Sequence, residues 1–254
     1  MKIKFAALSA LVAITGLPTA VLAQDAPSTS FNVGVVSDYR YRGISQSGLK
    51  PALQGGADYS NPSGLYLGTW LSTIKWIKDA GRINSVDAGN TPAEWDLYGG
   101  YKGAITKDLA YDVGGLYYLY VNNKTGNVPG GANANTFELY GALSFGPVTA
   151  KYSHALTDTF GYGNSKGSNY LELNASFDLG NGFSLAPHIG HQRIKNSNPA
   201  SYTDYSLTLG KDLGNGFSLS AAAVGTDADA KVYYRADGKF TGKTALVLGA
   251  KYSF

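Results

Sequence analysis

The sequence predicts an all-β fold: a transmembrane antiparallel up-and-down β-barrel of about 12 strands that follows an N-terminal signal peptide. Three observations lead there: alternating runs of about ten residues, connections that are alternately short and long, and a closing strand that ends in an aromatic residue. In the segment 246–254, one face carries Leu246 and every second residue to Phe254, which suits lipid, and the other is small or polar. A half-buried strand of a soluble sandwich is the alternative for this segment taken alone.

The start of the chain predicts export. Two early lysines precede an apolar stretch, and Val21-Leu22-Ala23 offers small residues for cleavage, so residues 1–23 are interpreted as a secretory signal peptide. Polar residues and a proline interrupt the apolar stretch before it reaches the length of a membrane-spanning helix. We therefore expect a short N-terminal periplasmic segment over 24–30 and an outer-membrane β-barrel over 31–254.

The composition agrees with a barrel and excludes several other classes. Gly (33 residues) and Tyr (19 residues) are abundant and only 15% of residues are charged, which favours short strands and turns over helices. There is no cysteine to form a disulfide, and with three histidines a structural zinc site is not expected. The small net charge of +3 gives no indication of nucleic-acid binding. We expect no metal and no cofactor.

Turn chemistry separates the predicted strands in a regular order. Short connections, which we assign to the periplasm, are Asn61–Gly64, Gly103–Asp108, Gly146-Pro147, Gly180–Gly182 and Gly214–Gly216. Longer connections, which we assign to the cell exterior, are Gly43–Lys50, Ile77–Pro92, Asn122–Asn135, Asp158–Ser168, Lys195–Ser201 and Thr226–Lys239. The sequence Asp-Leu-Gly-Asn-Gly-Phe-Ser-Leu occurs twice, from Asp178 and from Asp212, as two tight hairpins would require.

Alternation along the strands predicts an apolar outer face and a polar inner face. The residues placed outward include Val33, Val35, Leu97, Val113, Phe137, Leu139, Leu143, Leu171, Leu173, Phe177, Leu185, Leu207, Leu209, Leu219 and Leu248. Lys211 also falls on the outward set, where it lies close enough to a turn to reach water. The strand from Leu65 to Trp76 is ambiguous, and we turn Tyr66, Trp70 and Trp76 outward because this leaves Lys75 inside.

The most distinctive motif is Ser37-Asp-Tyr-Arg-Tyr-Arg-Gly-Ile-Ser-Gln-Ser47, followed by Lys50-Pro-Ala-Leu-Gln-Gly-Gly56. Together with Gly68-Thr69-Trp70 and the barrel-like C-terminus, it resembles the TorF family of bacterial outer-membrane barrel proteins, which are described as porins. The resemblance spans essentially the whole mature chain and is most specific between Asn32 and Trp76. It implies an outer-membrane barrel with passive permeation, and it supplies no substrate or catalytic residue.

Alternation within the motif predicts that Asp38, Arg40 and Arg42 form a ladder on the inner face of one strand, with Tyr39 and Tyr41 facing lipid. The arginines either line an anion-biasing constriction or neutralise inward acids such as Asp58, Glu94 and Asp96. An excess of inward acids predicts a weak cation preference. The candidate pore-lining residues are Asp38, Arg40, Arg42, Asp58, Glu94, Asp96, Glu138, Lys151 and Glu172.

The expected function is that of a porin-like channel of the bacterial outer membrane for passive diffusion of small polar or charged solutes. A non-conducting structural or adhesive barrel is the first alternative. A hydrolase is the second, although Ser153 and His154 point to opposite faces, as do His188 and His191, and no Gly-x-Ser-x-Gly motif is present. The expected partners are outer-membrane lipid, small solutes and the barrel assembly machinery, which would recognise the closing strand that ends at Phe254; no nucleic acid is expected.

Overall fold

The computed structural model describes residues 26–254, so the predicted signal peptide over 1–23 lies outside the described residues. The strands of the main sheet are β1 (Ser28–Val36), β4 (Ala52–Ser60), β5 (Leu65–Thr73), β6 (Ala93–Ala104), β7 (Leu109–Leu119), β8 (Thr136–Phe145), β9 (Val148–Ala155), β10 (Asn169–Ala175), β11 (Phe177–Gly180), β12 (Phe183–Arg193), β13 (Tyr202–Gly214), β14 (Phe217–Thr226) and β15 (Ala245–Ser253). A separate two-stranded hairpin is formed by β2 (Arg40–Tyr41) and β3 (Ile44–Ser45).

The main sheet closes on itself as an antiparallel barrel of twelve strands, because β10 and β11 are two parts of one strand interrupted at Ser176. Each strand pairs with its neighbours in the chain, β1 pairs with β15, and β10 pairs with both β9 and β12. Closure leaves no free sheet edge, which is the condition under which strands can cross hydrocarbon. The predicted fold class and strand number are confirmed.

The connections sort by length onto the two ends of the barrel, hereafter the turn end and the loop end. Asn181 (φ 52°) and Asn215 (φ 52°) have left-handed backbone in the two repeated turns at the turn end. The loop end carries the six longer connections, among them the hairpin β2–β3 and the helix α1 (Trp76–Asn84). None of the described helices is long and apolar enough to cross a membrane.

The first strand begins earlier than predicted. Ser28, Thr29 and Ser30 pair with Ser60, Tyr59 and Asp58 of β4, so the barrel starts at Ser28 and not at residue 31. These side chains are polar and therefore lack the apolar alternation that marks the rest of the strand, but a strand at the turn end needs only the backbone ladder.

The outer and inner faces have the predicted chemistry. Leucine, valine and aromatic side chains cover the outside, as at Val33 (50% exposed), Leu173 (48%) and Leu248 (52%). The intervening residues face the lumen and include Glu138, Glu172 and Asp204, all nearly fully buried. An apolar band around a polar interior is the arrangement that a lipid bilayer requires of a barrel.

Strand β5 has the opposite register to the one predicted. Leu65, Leu67 and Leu71 face outward, whereas Trp70 is buried inside and the Tyr66 hydroxyl donates to the inward Asp112 at 2.6 Å. Both sets of side chains are lipophilic, so hydrophobicity alone could not distinguish the faces. The strand also ends at Thr73, and the predicted outward Trp76 belongs to α1, where its ring packs on Tyr120.

Inward tyrosines lie over inward glycines of neighbouring strands. A Cβ on Gly68 would fall 2.3 Å from the Tyr98 ring, and one on Gly190 would fall 2.0 Å from the Tyr170 hydroxyl. Gly114 meets Tyr140 in the same way, at 2.5 Å. Glycine is needed at these positions because a tyrosine side chain of a neighbouring strand occupies the space that a Cβ would take.

The alternation of faces makes a matched pair of substitutions on one strand informative. Leu207 is 49% exposed near the middle of β13, and its neighbour Ser206 faces the lumen. We expect Leu207→Arg to destabilise the folded barrel by about 2–4 kcal/mol, because the charge faces lipid near the midplane, and Ser206→Arg to cost much less. Urea titration of folding into lipid vesicles measures both values, and equal losses would contradict the assigned faces.

Candidate functional site

The hairpin β2–β3 leaves the wall after β1 and folds back into the lumen. Its two central turn residues, Arg42 (φ 46°) and Gly43 (φ 76°), both have left-handed backbone, which is the turn type whose twist suits a two-residue hairpin. The base is anchored by hydrogen bonds from Gln46 N to Tyr39 O at 2.7 Å and from Ser45 N to Thr241 O at 3.0 Å. The segment is therefore a fixed insertion and not part of the barrel wall.

The tip of the hairpin contacts the inner wall two and three strands away from β1. A Cβ on Gly43 would lie 2.4 Å from Cγ2 of Thr226 and 2.8 Å from Cβ of Asp204. These two residues belong to β14 and β13, whereas the hairpin departs from β1 and returns to β4. Only glycine fits at this contact. The neighbouring Arg42 reaches Glu138 on β8, five strands from β1 in the other direction, so the hairpin spans the lumen at the loop end.

Arg42 is the main contact between the hairpin and the wall. Its guanidinium donates to both carboxylate oxygens of Glu138, at 3.0 and 2.7 Å, and to Oε1 of Gln192 at 2.5 Å. It also lies over the rings of Tyr41, at 4.8 Å from the centroid, and Tyr170, at 4.1 Å. Both charges of this bidentate ion pair are almost completely buried, with 4% and 2% of their side chains exposed, which makes removal of either partner costly.

Tyr39 and Tyr41, which flank Arg40, point into the protein, although the sequence predicted that they face lipid. The Tyr39 hydroxyl donates to Glu94, and the Tyr41 hydroxyl forms a hydrogen bond with that of Tyr118. Burial, followed by the negative charge of Glu94, raises the pKa of Tyr39, so its phenol stays protonated and acts as the donor. Alternation fails here because the residues belong to a hairpin surrounded by protein on both faces.

Arg40 stabilises the base of the hairpin. Its Nε donates to Asp38 at 2.8 Å, and its Nη1 donates to the carbonyl of Lys243 at 2.7 Å. Asp38 also accepts from the hydroxyls of Ser45 at 2.5 Å and Ser47 at 3.2 Å. Arg40 and Asp38 therefore neutralise each other within the motif.

The wall around the hairpin carries more acidic than basic side chains. Glu94 receives the hydroxyls of Tyr39 and Tyr120, but neither oxygen of the fully buried Asp96 has a hydrogen-bond partner among the described residues. Among the described residues, Arg42 is the cation that pairs with a carboxylate on this side of the lumen, and its partner is Glu138. Glu94 and Asp96 expose only 1% and 0% of their surface, so neither carboxyl group is presented to solvent in the lumen.

A second polar network lies on the opposite wall. His188 Nε2 is 2.8 Å from Asp204 Oδ1, and its Nδ1 is 2.6 Å from the amide oxygen of Asn174. Asn174 in turn donates to Glu172 at 2.9 Å, and the Tyr170 hydroxyl donates to Asp204 at 2.8 Å. Within residues 26–254, no group of three or more His, Asp or Glu side chains is arranged to hold a metal ion.

The turn half of the lumen is more open than the loop half. Its wall includes Asp58, which accepts from Tyr98 at 2.5 Å, and Lys151, whose ammonium lies 4.3 Å from the centre of the Tyr140 ring. These inward side chains are half-buried, unlike Glu94 and Asp96 at the loop end. The constriction is therefore confined to the part of the barrel that the hairpin fills.

The candidate pore-lining residues divide into two groups. Asp58, Glu94, Asp96, Glu138, Lys151 and Glu172 lie on the inner face of the wall, as expected from alternation. Asp38, Arg40 and Arg42 lie inside the barrel but on the inserted motif, so the predicted ladder on one wall strand is wrong. The arginines pair with Asp38 and Glu138, and not with the acids Asp58, Glu94 and Asp96 that the sequence offered as partners.

Several site residues were not singled out from the sequence. Gln192 and Tyr170 contact Arg42, and the buried Trp70 packs edge-on against Tyr39 with ring centres 5.3 Å apart. The dipeptide Arg42-Gly43 could have indicated the hairpin, because a glycine that follows alternating residues permits a tight turn. Contacts between distant strands leave no comparable local signal.

Comparisons with known proteins identify one matching family and several solved structures with a similar fold. The profile of a family described as "Bacterial protein of unknown function (Gcw_chp)" matches residues 23–254. A comparison with curated protein sequences gives no match.

Solved porin structures align with most of the chain but have low sequence identity to it. A structure entitled "KdgM porin" is 9% identical with a TM-score of 0.56, and the alignment covers 89% of this chain and 99% of that one. The NanC porin is 11% identical with a TM-score of 0.54, covering 89% and 99%. A KdgM porin in complex with disordered oligogalacturonate is 8% identical with a TM-score of 0.54, covering 89% and 98%. At these identities the likeness establishes a common fold.

The burial of the ion pair of Arg42 allows a test of how the hairpin is held. Arg42→Ala leaves Glu138 without its partner, so we expect the docked hairpin to lose about 3–5 kcal/mol and its amides to lose at least about a hundredfold of their hydrogen-exchange protection. Lys50→Ala changes an exposed lysine of the same loop and should leave protection unchanged. Unchanged exchange at Gln46 N in Arg42→Ala would show that the ion pair does not hold the hairpin.

Proposed function

The chain belongs to the Gcw_chp family of bacterial proteins of unknown function, and we propose that it is an outer-membrane porin through which small polar or charged solutes diffuse passively. The proposal places the long connections outside the cell and the short turns in the periplasm. It also includes the finer family assignment, because the motif around Asp38–Arg42 resembles the TorF family.

One observation supports this function above all: a closed twelve-stranded barrel encloses a polar lumen that is partly obstructed by a hairpin. A barrel of this size is intermediate between one filled by its own side chains and a wide aqueous pore. The wall supplies a water-compatible interior along its whole length, and the insertion supplies a size limit at one end. This combination favours slow passage of small solutes.

The charges favour cations and neutral polar solutes over anions. Arg40 and Arg42 are engaged with Asp38 and Glu138, so they offer little free positive charge, and acidic residues outnumber them on the inner surface, as at Glu172 and Asp204. One structural neighbour is described as a complex with oligogalacturonate, an anionic sugar chain. The acidic wall at the constriction does not favour the same preference in this chain.

Two other functions remain as alternatives. A non-conducting structural or adhesive barrel is favoured by the contacts of the hairpin with β13, β14 and β8, because these contacts fix it inside the lumen. A hydrolase would need a nucleophile beside His188, but this ring contacts Asp204, Asn174 and the Tyr170 hydroxyl, and no serine hydroxyl bonds to it in the part of the chain that is described. We therefore propose a non-enzymatic role.

Export and assembly form part of the same proposal. A signal peptide over 1–23 would direct the chain to the periplasm, and the closing strand β15 would be recognised by the barrel assembly machinery through its C-terminal aromatic residue. Phe254 exposes 64% of its surface and stacks on Tyr252 and Phe31 at the turn end. The aromatic terminus is thus available at the periplasmic rim.

Single-channel recording in planar bilayers tests the proposed function. We expect the wild-type barrel to give small discrete steps with cation selectivity in a salt gradient. Replacing the tip between Tyr39 and Gln46 with a short Gly-Ser linker should raise the conductance several-fold, because the obstruction is removed. Arg40→Ala with Arg42→Ala should move the reversal potential further towards cations, since Asp38 and Glu138 lose their partners.

Lys211→Ala provides a matched control, because Lys211 is a basic residue that a barrel strand directs outward at the turn end. It should leave conductance and reversal potential unchanged. All variants must first migrate as folded, heat-modifiable barrels on electrophoresis. Folded wild-type and linker variants that are both silent would exclude a pore, and equal conductance of the two would exclude a constricting hairpin.

A further inference from the structure

Charged side chains are almost excluded from the outward face of the barrel. Among the described residues, the barrel strands direct only Arg193 and Lys211 outward as basic residues, and no acidic residue takes such a position. Lys211 lies at the turn end, where its ammonium donates to the carbonyl of Asn181 at 2.6 Å. Arg193 lies at the opposite end, where β12 reaches the loops, and therefore requires a separate explanation.

Arg193 is part of a basic cluster on the outer surface. The strand register places it beside Asn169, which in turn is beside His154 on β9, so these three residues form one row across three strands. Lys195 follows two residues later and converges on the same row. A Cβ on Gly167 would lie 3.6 Å from Lys195 Nζ and 4.0 Å from His154 Cε1. We call Arg193, Lys195 and His154 the rim patch.

The rim patch lies at the depth where an apolar surface becomes polar. Along the outward face of β12, Ile189 (50% exposed) is followed by His191 and then by Arg193. Tyr152 and Tyr205, each nearly half exposed, lie below the patch on β9 and β13, as interfacial aromatic residues do. The patch therefore sits above the aromatic level, where lipid headgroups begin.

The cations of the patch have no protein counter-ion. Across residues 26–254, no carboxylate lies within salt-bridge distance of Arg193 or Lys195. Two acids of the neighbouring loops are engaged with backbone amides: Asp227 accepts from Thr203 N at 2.6 Å, and Asp158 accepts from Ser165 N at 2.8 Å. The side chains at the rim are thus free to bind an external anion.

The backbone under the patch is held in place, which distinguishes it from scattered surface lysines. Ile194, between the two cations, is 1% exposed, and its amide donates to the Ser201 hydroxyl at 2.9 Å. Lys195 N donates to Ser168 Oγ at 3.0 Å, which ties the loop after β12 to the loop before β10. Outside this row, strands β1, β4 and β15 present apolar outward residues near the loop end, at Val35, Leu53 and Leu246.

We propose that the rim patch binds the phosphate of a phosphorylated glycolipid in the outer leaflet of the membrane. Arg193 and Lys195 supply the positive charge, Asn169 and His154 supply polar groups between them, and the apolar surface below accepts the acyl chains. The lipid fits better than a soluble anion because the basic row borders the lipid-facing band directly. The inference rests on the proposed membrane placement and is independent of whether the barrel conducts.

Native mass spectrometry of the detergent-solubilised full-length mature protein tests this inference, with lipid A bearing two phosphates as the probe. We expect wild-type protein to retain one lipid, and Arg193→Gln with Lys195→Gln to bind it at least about tenfold more weakly. Lys231→Gln with Lys239→Gln removes two exposed lysines from another loop and should bind as wild type does. Heat-modifiable migration confirms folding of every variant.

Two further measurements separate the sources of binding. Dephosphorylated lipid A should bind wild-type protein as weakly as the intact lipid binds the double variant, and inorganic phosphate at millimolar concentration should not displace the intact lipid. Equal binding of wild type and double variant, or of the two lipids, would overturn the proposal, as would displacement by inorganic phosphate. Lipid binding is measured in detergent and is therefore independent of conductance. A barrel that conducts no ions in bilayers but still binds the lipid would contradict the proposed pore function and support the proposed lipid site.

Discussion

The structure depends on one constraint, the exclusion of charge from the lipid-facing surface of a closed barrel. A basic side chain facing hydrocarbon costs about 2–4 kcal/mol at the midplane, so the charged residues of the strands must turn inward. They accumulate in the lumen, where Glu94, Asp96 and Glu138 lie close together on one wall. Buried carboxylates need hydrogen bonds or counter-ions, and the tyrosines and Arg42 provide most of them. The polar interior is thus a consequence of the apolar exterior.

The hairpin follows from this accumulation. Its left-handed residues and the close contact of Gly43 with β13 and β14 are conformationally demanding, and Arg42 in particular adopts a backbone conformation that residues other than glycine rarely take. The bidentate ion pair with Glu138 and the surrounding aromatic rings offset this cost. Removing the hairpin would leave Glu138 without its cation, so the same residue that narrows the lumen also stabilises its wall.

Much of the barrel is predictable from sequence because the lipid constraint is periodic. Strand number, turn positions and the outward residues all follow from alternation with a period of two, as Leu171 and Leu173 illustrate. Alternation does not predict the faces correctly where it loses its physical basis. In β5 both faces are lipophilic, and in the segment Tyr39–Arg42 both faces touch protein, so the pattern persists without a lipid side. The pairing of Arg42 with Glu138, which are 96 residues apart, cannot be inferred from local spacing.

The same constraint distinguishes interior from exterior charges when function is considered. Inward charges are required in any barrel whose lumen is polar, so their presence alone does not identify a solute. An outward charge is different, because water or a headgroup must solvate it at the edge of the apolar band. Arg193 and Lys195 lie at that edge without ion-pair partners among the described residues, whereas β1, β4 and β15 present the apolar Val35, Leu53 and Leu246 near the loop end. Charged residues on the outward face therefore give more specific information about binding partners than the apolar residues that cover the rest of that face.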